Sequence, residues 1–561
     1  MSSLIQVKNL KVEFRTKELL VQAVRGVSLD IKAGETIGLV GESGSGKSVT
    51  ALSLMQLIST PPGRITGGQI LLEGKDLLKY SESEIRKIRG NRISMIFQEP
   101  MTSLNPVFTV GYQIAEALIL HQNMNKKEAR EKTIHLLDQV GIARPSDRVD
   151  SYPHEMSGGQ RQRVMIAMAI GCQPDLLIAD EPTTSLDVTI QKQILELLQG
   201  LQDQLKMSML FISHDLGIVS QITKKVSVMY KGEIVEEGKT SEIFKNPQHP
   251  YTKGLVACRP TLDVKTARLP MISDFIEGKD FSKLPLKEIK KTKGKTLLEI
   301  KELKKHFPLE KSFFGKVKSW VKAVDGVSFK VEKGSTLGLV GESGCGKTTL
   351  GRTILRLVEP SNGSVLYDNI DVTQLNKKQL KEMRKKVQII FQDPYASLNP
   401  RMTIGSSIME PMIIHGLYSG KKERIQKVEE LMKRVGLDKN MRNRYPHEFS
   451  GGQRQRICIA RTLAVQPEFI ICDESVSSLD VSIQAQILNL LKDLQDQLNL
   501  TYIFISHDLT VVKFISDRVA VMKEGQILEM NDAESIYQSP QHPYTKKLID
   551  AIPSSIPKHL Q

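Results

Sequence analysis

The eight residues Gly41-Glu42-Ser43-Gly44-Ser45-Gly46-Lys47-Ser48 follow an apolar run, ETIGLV, and lead into a helical pattern. They satisfy G-x-x-x-x-G-K-[ST], the pattern of a phosphate-binding loop. Glycines let a backbone wrap a phosphate without Cβ clashes, so that its N–H groups point inward. The helix that follows adds its positive end. In such a loop Lys47 reaches the β- and γ-phosphates of a nucleotide, and the Ser48 hydroxyl holds Mg2+. The pattern returns at Gly341-Glu342-Ser343-Gly344-Cys345-Gly346-Lys347-Thr348, again after an apolar run, STLGLV. Two chance matches in the same strand-and-helix setting are implausible for a chain of ordinary composition. The chain is thereby constrained to contain two strand–loop–helix units.

A length of 561 residues exceeds what one core organises and implies two to four domains. The net charge of +15, from 78 basic and 63 acidic residues, permits a nucleic-acid partner or an anionic membrane surface and selects neither. The five cysteines, Cys172, Cys258, Cys345, Cys458 and Cys472, include no C-x-x-C pair and no cluster of four. That pattern argues against a zinc or iron–sulfur site and fits a reducing compartment. No run approaches about 18 consecutive apolar residues, and the N-terminal MSSLIQVKNLKVEF lacks the apolar core of a secretion signal. The expectation is a chain that stays in the cytoplasm and meets a membrane through partners.

An internal repeat runs the length of the chain. AVRGVSLDIKAGETIGLVGESGSGKS matches AVDGVSFKVEKGSTLGLVGESGCGKT, and FQEPMTSLNP matches FQDPYASLNP. YPHEMSGGQRQR, LLIADEPTTSLD, LFISHDL and NPQHPYTK likewise recur as YPHEFSGGQRQR, FIICDESVSSLD, IFISHDL and SPQHPYTK. Ser157 to Ser450, Asp180 to Asp473 and His214 to His507 are each 293 residues apart. Lys47 to Lys347 is 300, so the second copy is longer before its phosphate loop, around SFFGKVKSWVK. Indels of this size belong in surface turns. We read residues 1–260 as one domain, 296–561 as a second, and 261–295 as a linker with a short packed segment around MISDFI.

Each copy reads as α/β. Its first 35 or so residues alternate apolar and polar, which predicts an antiparallel sheet. KKEAREKTIHLLDQVGI and KKERIQKVEELMKRVGL carry apolar residues at helical spacing. TIQKQILELLQGLQDQL and SIQAQILNLLKDLQDQL are amphipathic helices, while LLIAD and FIICD are short enough and apolar enough to be buried parallel strands. Alternating strand and helix predict a parallel sheet that binds phosphates at the carboxyl ends of its strands.

These ordered motifs resemble two complete ATP-binding-cassette (ABC) ATPase domains joined in one chain. The wording QEPMTSLNP, QDPYASLNP and QHPYT is similar to the ATPase subunits of oligopeptide, dipeptide and nickel importers. The resemblance implies two P-loop NTPase domains, each with a RecA-like parallel-sheet core, an antiparallel β subdomain and a helical subdomain. It implies ATP and Mg2+ as ligands. Gly41, Ser43, Gly44, Gly46, Lys47 and Ser48, with Gly341, Ser343, Gly344, Gly346, Lys347 and Thr348, would hold the phosphates. Ser48, Thr348, Asp180, Asp473, Gln98 and Gln392 are the implied metal ligands. Glu181 and Glu474 resemble the general base that polarises water, His214 and His507 the γ-phosphate histidine, and Gln98 and Gln392 the glutamine that links site and transporter.

Ser157, Gly159 and Gln160, with Ser450, Gly452 and Gln453, resemble the family signature, which faces the partner domain's nucleotide; Met156 and Phe449 stand in for its usual leading Leu. Asp187 and Asp480 fit the loop that communicates across the dimer. Phe14 and Phe307 are candidates for stacking on adenine. Ser475 departs from the usual D-E-P run and leaves the base in place. The implied mechanism is a head-to-tail sandwich with both ATP sites hydrolytic. It couples to two transmembrane permease subunits and an extracytoplasmic substrate-binding protein, at the cytoplasmic face of the inner membrane, with no nucleic acid expected. The alternative is a soluble tandem ABC ATPase acting on ribosomes, whose family usually carries a long, charged, helical linker. DNA-acting relatives carry zinc cysteines or long coiled coils, and neither pattern is present. Among cargoes, peptides are favoured, with glutathione or nickel complexes open.

Overall fold

A computed structural model describes residues 3–15, 19–98, 103–184, 186–262, 266–279, 294–311, 317–477 and 479–552. Residues 99–102 of the QEPMTSLNP stretch, Ser185, Ser478, residues 312–316 of the longer second hairpin and residues 263–265 and 280–293 of the expected linker lie outside the described residues.

The first repeat unit runs β1 (Ser3–Arg15), β2 (Leu20–Lys32), β3 (Thr36–Val40), β4 (Gly63–Leu72), β5 (Lys75–Asp76), β6 (Ile93–Ile96), β7 (Leu176–Asp180), β8 (Ser208–Ser213), β9 (Lys225–Tyr230) and β10 (Glu233–Lys239). The second runs β11 (Thr296–Lys311), β12 (Val317–Glu332), β13 (Thr336–Val340), β14 (Asn362–Tyr367), β15 (Ile370–Asp371), β16 (Val387–Ile390), β17 (Phe469–Asp473), β18 (Thr501–Ile505), β19 (Arg518–Lys523) and β20 (Gln526–Asp532). The expected antiparallel sheets have the order β2-β1-β4-β5 and β12-β11-β14-β15. The larger sheets have the order β10-β9-β3-β8-β7-β6 and its copy β20-β19-β13-β18-β17-β16. They are parallel except for the antiparallel edge strands β10 and β20.

The continuous apolar runs follow from burial on both faces. Leu176 and Ile178 of β7 join a core shared with the antiparallel sheet, whereas Leu177 and Ala179 join the core on the other side. The helix Lys126–Gln139 shows the expected one-sided burial, with Ala129, Thr133, Leu136 and Leu137 inside. Asn125 and Glu128 form its capping box. Its relative Lys421–Arg434 buries Val428, Leu431 and Met432. Both helices pack against the helices that open at the SGGQ stretches, Gly158–Ile170 and Gly451–Leu463.

The connecting segment carries a packed stretch. A short helix, Ile272–Ile276, forms within the MISDFI stretch and packs on the helix Pro250–Ala257, where Gly254 leaves room for Ile272. Leu269 and Ile272 are buried in an apolar cluster that continues from the first repeat into the second. Among the described residues no helix is long and apolar enough to cross a membrane.

Candidate functional site

Each phosphate loop leaves the carboxyl end of a central strand and is pressed against neighbouring backbone. Gly41 has φ 157° and Gly46 φ 105°. A Cβ on Gly41 would lie 2.2 Å from the Met229 carbonyl oxygen, and one on Gly46 2.4 Å from that of Ala23. Those positions exclude side chains on both conformational and steric grounds. Lys47 opens the helix Lys47–Leu54, and its buried Nζ donates to the carbonyls of Gly41 (2.7 Å) and Glu42 (2.8 Å). Burial lowers its pKa, opposed by the carboxylates of Glu181, Asp480 and Asp180. Lys347 makes the same bonds to Gly341 (2.8 Å) and Glu342 (2.9 Å). Ser43 and Gly44, with Ser343 and Gly344, form the exposed crests of the two loops.

The carboxylates converge at the same strand ends. Asp180 ends β7 and Asp473 ends β17, both buried. Thr348 Oγ1 donates to Asp473 Oδ1 at 2.9 Å, and Ser48 hydrogen-bonds Asp180. Burial pushes the Asp180 carboxyl up to about 6 against the Ser48 bond, and Asp473 shifts in the same direction for the same reason. Asp180 Oδ1 and Asp473 Oδ2 are buried without a hydrogen-bond partner. An unpartnered carboxylate oxygen next to a carboxylate-bonded hydroxyl of the phosphate loop suits Mg2+, which takes one or two protein oxygens and completes its shell from phosphate and water.

Glu181 and Glu474 follow directly, at φ 48° and 46°. Left-handed backbone at a non-glycine residue costs about 1–3 kcal/mol and persists where its surroundings enforce it. Here the Glu181 amide donates to Ile212 O and that of Glu474 to Ile505 O, both at 3.0 Å. Glu181 receives Gln98 Nε2 and Thr184 Oγ1, each at 2.9 Å, with His214 Nδ1 at 3.2 Å. Burial alone would raise its pKa; the His214 bond and charge, with Lys47, hold it at about 2 instead. Reciprocally, burial opposes protonation of His214, and Glu181 overrides it and raises the imidazole. In the second repeat Gln392 Nε2 donates to Glu474 at 2.7 Å, and His507 Nδ1 lies 3.7 Å away. Glu474 is lowered and His507 raised in the same way, burial being the opposing influence in each. Each group therefore presents an ionised carboxylate able to orient water.

Two loops cross from one repeat to the other. Asp187, which opens the helix Val188–Leu205, accepts from Ser343 N and Oγ of the second phosphate loop, both at 2.8 Å. Ser482, next but one to Asp480, donates to Glu42 of the first. The negative charge of Asp480 reaches Lys47 and His214, and that of Asp187 reaches His507. Ser157 and Gln160 cap one another at the start of their helix, as do Ser450 and Gln453. Gly159 and Gly452 admit Ile190 and Ile483 of the helices behind Asp187 and Asp480.

Phe14 is partly buried on β1, against Gly63. Phe307 is 38% exposed on β11, with Lys305 Nζ 4.9 Å above its ring.

Sequence reasoning missed a layer behind the loops. Tyr251 OH accepts the Glu42 N–H at 2.9 Å, and Tyr544 OH accepts that of Glu342 at 3.2 Å. Glu236 accepts the backbone N–H groups of Gln248 (2.7 Å) and His249 (3.0 Å), and Glu529 does so for Gln541 (2.9 Å) and His542 (3.0 Å). The recurring QHPYT tail was the available signal: its Tyr holds the phosphate loop, and its Gln-His backbone is clasped by a carboxylate.

The description of the ABC transporter family matches residues 24–184 and 324–477. That of the oligopeptide/dipeptide transporter C-terminal region matches residues 235–282 and 528–560. The chain is 49% identical over 565 residues to the glutathione import ATP-binding protein GsiA of Escherichia coli O157:H7, covering 99% of this chain and 90% of that one. It is 49% identical over 563 residues to the protein of the same name from Salmonella typhimurium strain LT2, again covering 99% of this chain and 90% of that one. A solved ATP-binding-cassette dimer in a post-hydrolysis state, bound to ADP and Pi, covers 42% of this chain and 99% of that chain at 28% identity, with a TM-score of 0.38.

Proposed function

This chain belongs to the ABC transporter family, and from that premise we propose that it is the energy-coupling ATPase of an importer for short peptides, glutathione among them. The importer tail, matched in both repeats, and relatives named for glutathione import support the cargo class. Two cassettes, residues 1–260 and 296–561, are joined by 261–295. The observation that carries the reading is reciprocal contact: Asp187 of the first cassette bonds the second phosphate loop, and Ser482 of the second bonds the first. Each ATP site is then built from both halves, and fusion supplies the second half at high effective concentration.

In this mechanism Lys47 and Lys347 exchange loop carbonyls for β- and γ-phosphate oxygens. Ser48 with Asp180, and Thr348 with Asp473, would hold Mg2+, which when bound would neutralise developing phosphate charge. Glu181 and Glu474 orient water for attack on the γ-phosphorus, releasing ADP and phosphate. His214 and His507, held by those glutamates, face the γ-phosphate. The Ser157 and Ser450 signatures close on the opposite cassette's nucleotide. Gln98 and Gln392 bond the glutamates and stand two residues past the ends of β6 and β16, and an exposed aromatic side chain lies close to each in sequence, Phe97 before the first and Tyr395 after the second. Exposed apolar side chains suit a protein partner, here two permeases served by an extracytoplasmic binding protein, with the ATPase peripheral on the cytoplasmic face of the membrane.

The test is a tagged chain carrying Glu181→Gln and Glu474→Gln, trapped with Mg-ATP in gently solubilised cells and analysed by mass spectrometry. Co-purification of two multi-span permeases is expected, and their substrate-binding protein can then be tested with glutathione and other short peptides. Ribosomal proteins without permeases would overturn the reading.

A further inference from the structure

The segment that joins the cassettes is bonded differently in the two copies of the repeat. At its start, Arg259 Nη1 lies 3.2 Å from Asp215 Oδ1, both side chains largely buried. Asp215 follows His214 and takes the Gly217 N–H at 2.7 Å, capping the helix Leu216–Ile222. Gly217 makes the room: a Cβ there would lie 1.3 Å from Arg259 Nη1. In the second copy the corresponding residues are Asp508, Thr510 and Ile552. Asp508 is satisfied by Thr510 itself, through its N–H (2.8 Å) and hydroxyl (2.7 Å). Glycine and arginine in the first copy thus stand where threonine and isoleucine stand in the second, and only the first copy brings an arginine to its aspartate.

Further along, the segment is held by the second cassette. Asn489 is 2% exposed in the helix Val481–Leu498. Its Oδ1 accepts the Leu269 N–H at 2.9 Å, and its Nδ2 donates to the Leu269 carbonyl at 2.8 Å. A buried amide matched on both sides by one backbone residue is a specific clasp, because either half left unmade would carry a desolvation cost. Arg268 pairs with Asp493 at 3.1 Å, and Lys513 of the helix Leu509–Ile515 donates to the Leu262 carbonyl at 2.7 Å. The first-copy counterparts of Asn489, Asp493 and Lys513 are Glu196, Gly200 and Ser220, which cannot make this set. The two clasped helices begin directly after Asp480 and just after His507.

We infer that residues 259–262 and 266–276 form a strut that couples the two ATP sites, tying the loop after His214 to the helices that follow Asp480 and His507. The inference rests on the ATPase reading above. Arg259 is a positioning residue that acts through Asp215, and Asn489 is the strut's anchor in the second cassette. The strut stays docked while the two cassettes move against each other, so movement of the loop after His214 is delivered to the second cassette.

The experiment is steady-state Mg-ATPase of the full chain, with kcat and KM resolved. Asn489→Leu keeps the bulk and removes both bonds; kcat should fall roughly three- to tenfold with KM within about twofold. Because a buried substitution can cost folding, a surface pair is measured alongside. Arg268→Asp should lower kcat, and Arg268→Asp/Asp493→Arg should restore it, with melting temperatures close to wild type. Arg259→Lys should retain more turnover than Arg259→Ala. A wild-type chain without ATPase activity would remove the underlying reading. An active wild type beside folded Asn489→Leu and Arg268→Asp chains at wild-type kcat would overturn the strut alone, as would a loss that the charge swap fails to restore.

Discussion

Deleting one oxygen measures how firmly the tail holds the phosphate loop. Tyr251 is fully buried and stacks on Tyr230 with ring centroids 4.1 Å apart. Burial raises its phenol well above the usual range, so the hydroxyl stays protonated while accepting the Glu42 N–H at 2.9 Å. Tyr251→Phe keeps the ring, the stack and the burial, and removes the acceptor. A neutral hydrogen bond is worth about 1 kcal/mol net, and a fully buried donor left unpaired costs about 1–3 kcal/mol. Glu42 is half-buried, where water can replace the lost partner, so the lower figure applies. The bond orients the loop before nucleotide arrives; without it the ordering cost falls on binding. At about 1.4 kcal/mol per tenfold, the first site should bind ATP about fivefold more weakly. The bond from Glu342 N to Tyr544 OH is longer, 3.2 Å, so Tyr544→Phe should cost the second site less, about twofold. The assay is titration of a fluorescent ATP analogue into full chains carrying Glu181→Gln and Glu474→Gln to stop turnover. An unchanged Kd in a folded Tyr251→Phe chain would refute the reasoning, and equal losses in both variants would refute the ranking.

Asp187→Ala removes the acceptor for both Ser343 groups across the seam and should lower kcat roughly tenfold while the chain stays folded, checked by ATPase assay beside a melting curve. Asp473→Asn keeps size but loses the charge facing the metal position; Mg-dependent turnover at the second site should fall at least about 100-fold, with ATP binding measured in EDTA unchanged. Glu236 bears on pH. Burial alone would raise its pKa, but the backbone N–H of Gln248, with Thr252 and His249, holds it below its ordinary value near 4.5. A depressed carboxyl stabilises the fold above its unfolded pKa and loses that contribution as pH falls through the folded value. Hydrogen exchange in residues 248–258 should therefore show less protection below about pH 4 than at about pH 7, and Glu236→Gln should remove that difference.

Legibility followed sequence distance. The phosphate loops, the helix around Leu136 and Leu137, and the strand ending at Asp180 were readable because local spacing carries them. The motif order placed Gln98, Asp180, Glu181 and His214 in one cassette, but the bonds of Gln98 and His214 to Glu181 depend on the parallel strands β6, β7 and β8 being neighbours in that order. The grip of Tyr251 on Glu42 joins residues 209 apart in the chain and left no local trace beyond the repeated tail. The connecting segment reads as a linker with one short packed stretch, MISDFI, because it shows little sustained periodicity. Its attachment uses the backbone of Leu262 and Leu269, which any side-chain pattern leaves unmarked.

The two cassettes keep the same chemical groups, so their differences lie where residues are exchanged in company. Ser48 and Thr348 both offer a hydroxyl, and Glu181 and Glu474 both sit in left-handed backbone beside a glutamine and a histidine. A single exchange such as Pro182 to Ser475 leaves those contacts intact. By contrast, the aspartate after the histidine is satisfied in two ways: Asp215 by the Gly217 N–H and Arg259, and Asp508 by Thr510 and the Val511 N–H. A threonine at 217 would displace Arg259 from Asp215. The repeat is thus symmetric in the groups that face nucleotide and in the tyrosines and carboxylates of the tails behind them, and asymmetric where the connecting segment attaches. That division is expected if the chemistry at both sites is alike and the segment joining them has only one copy.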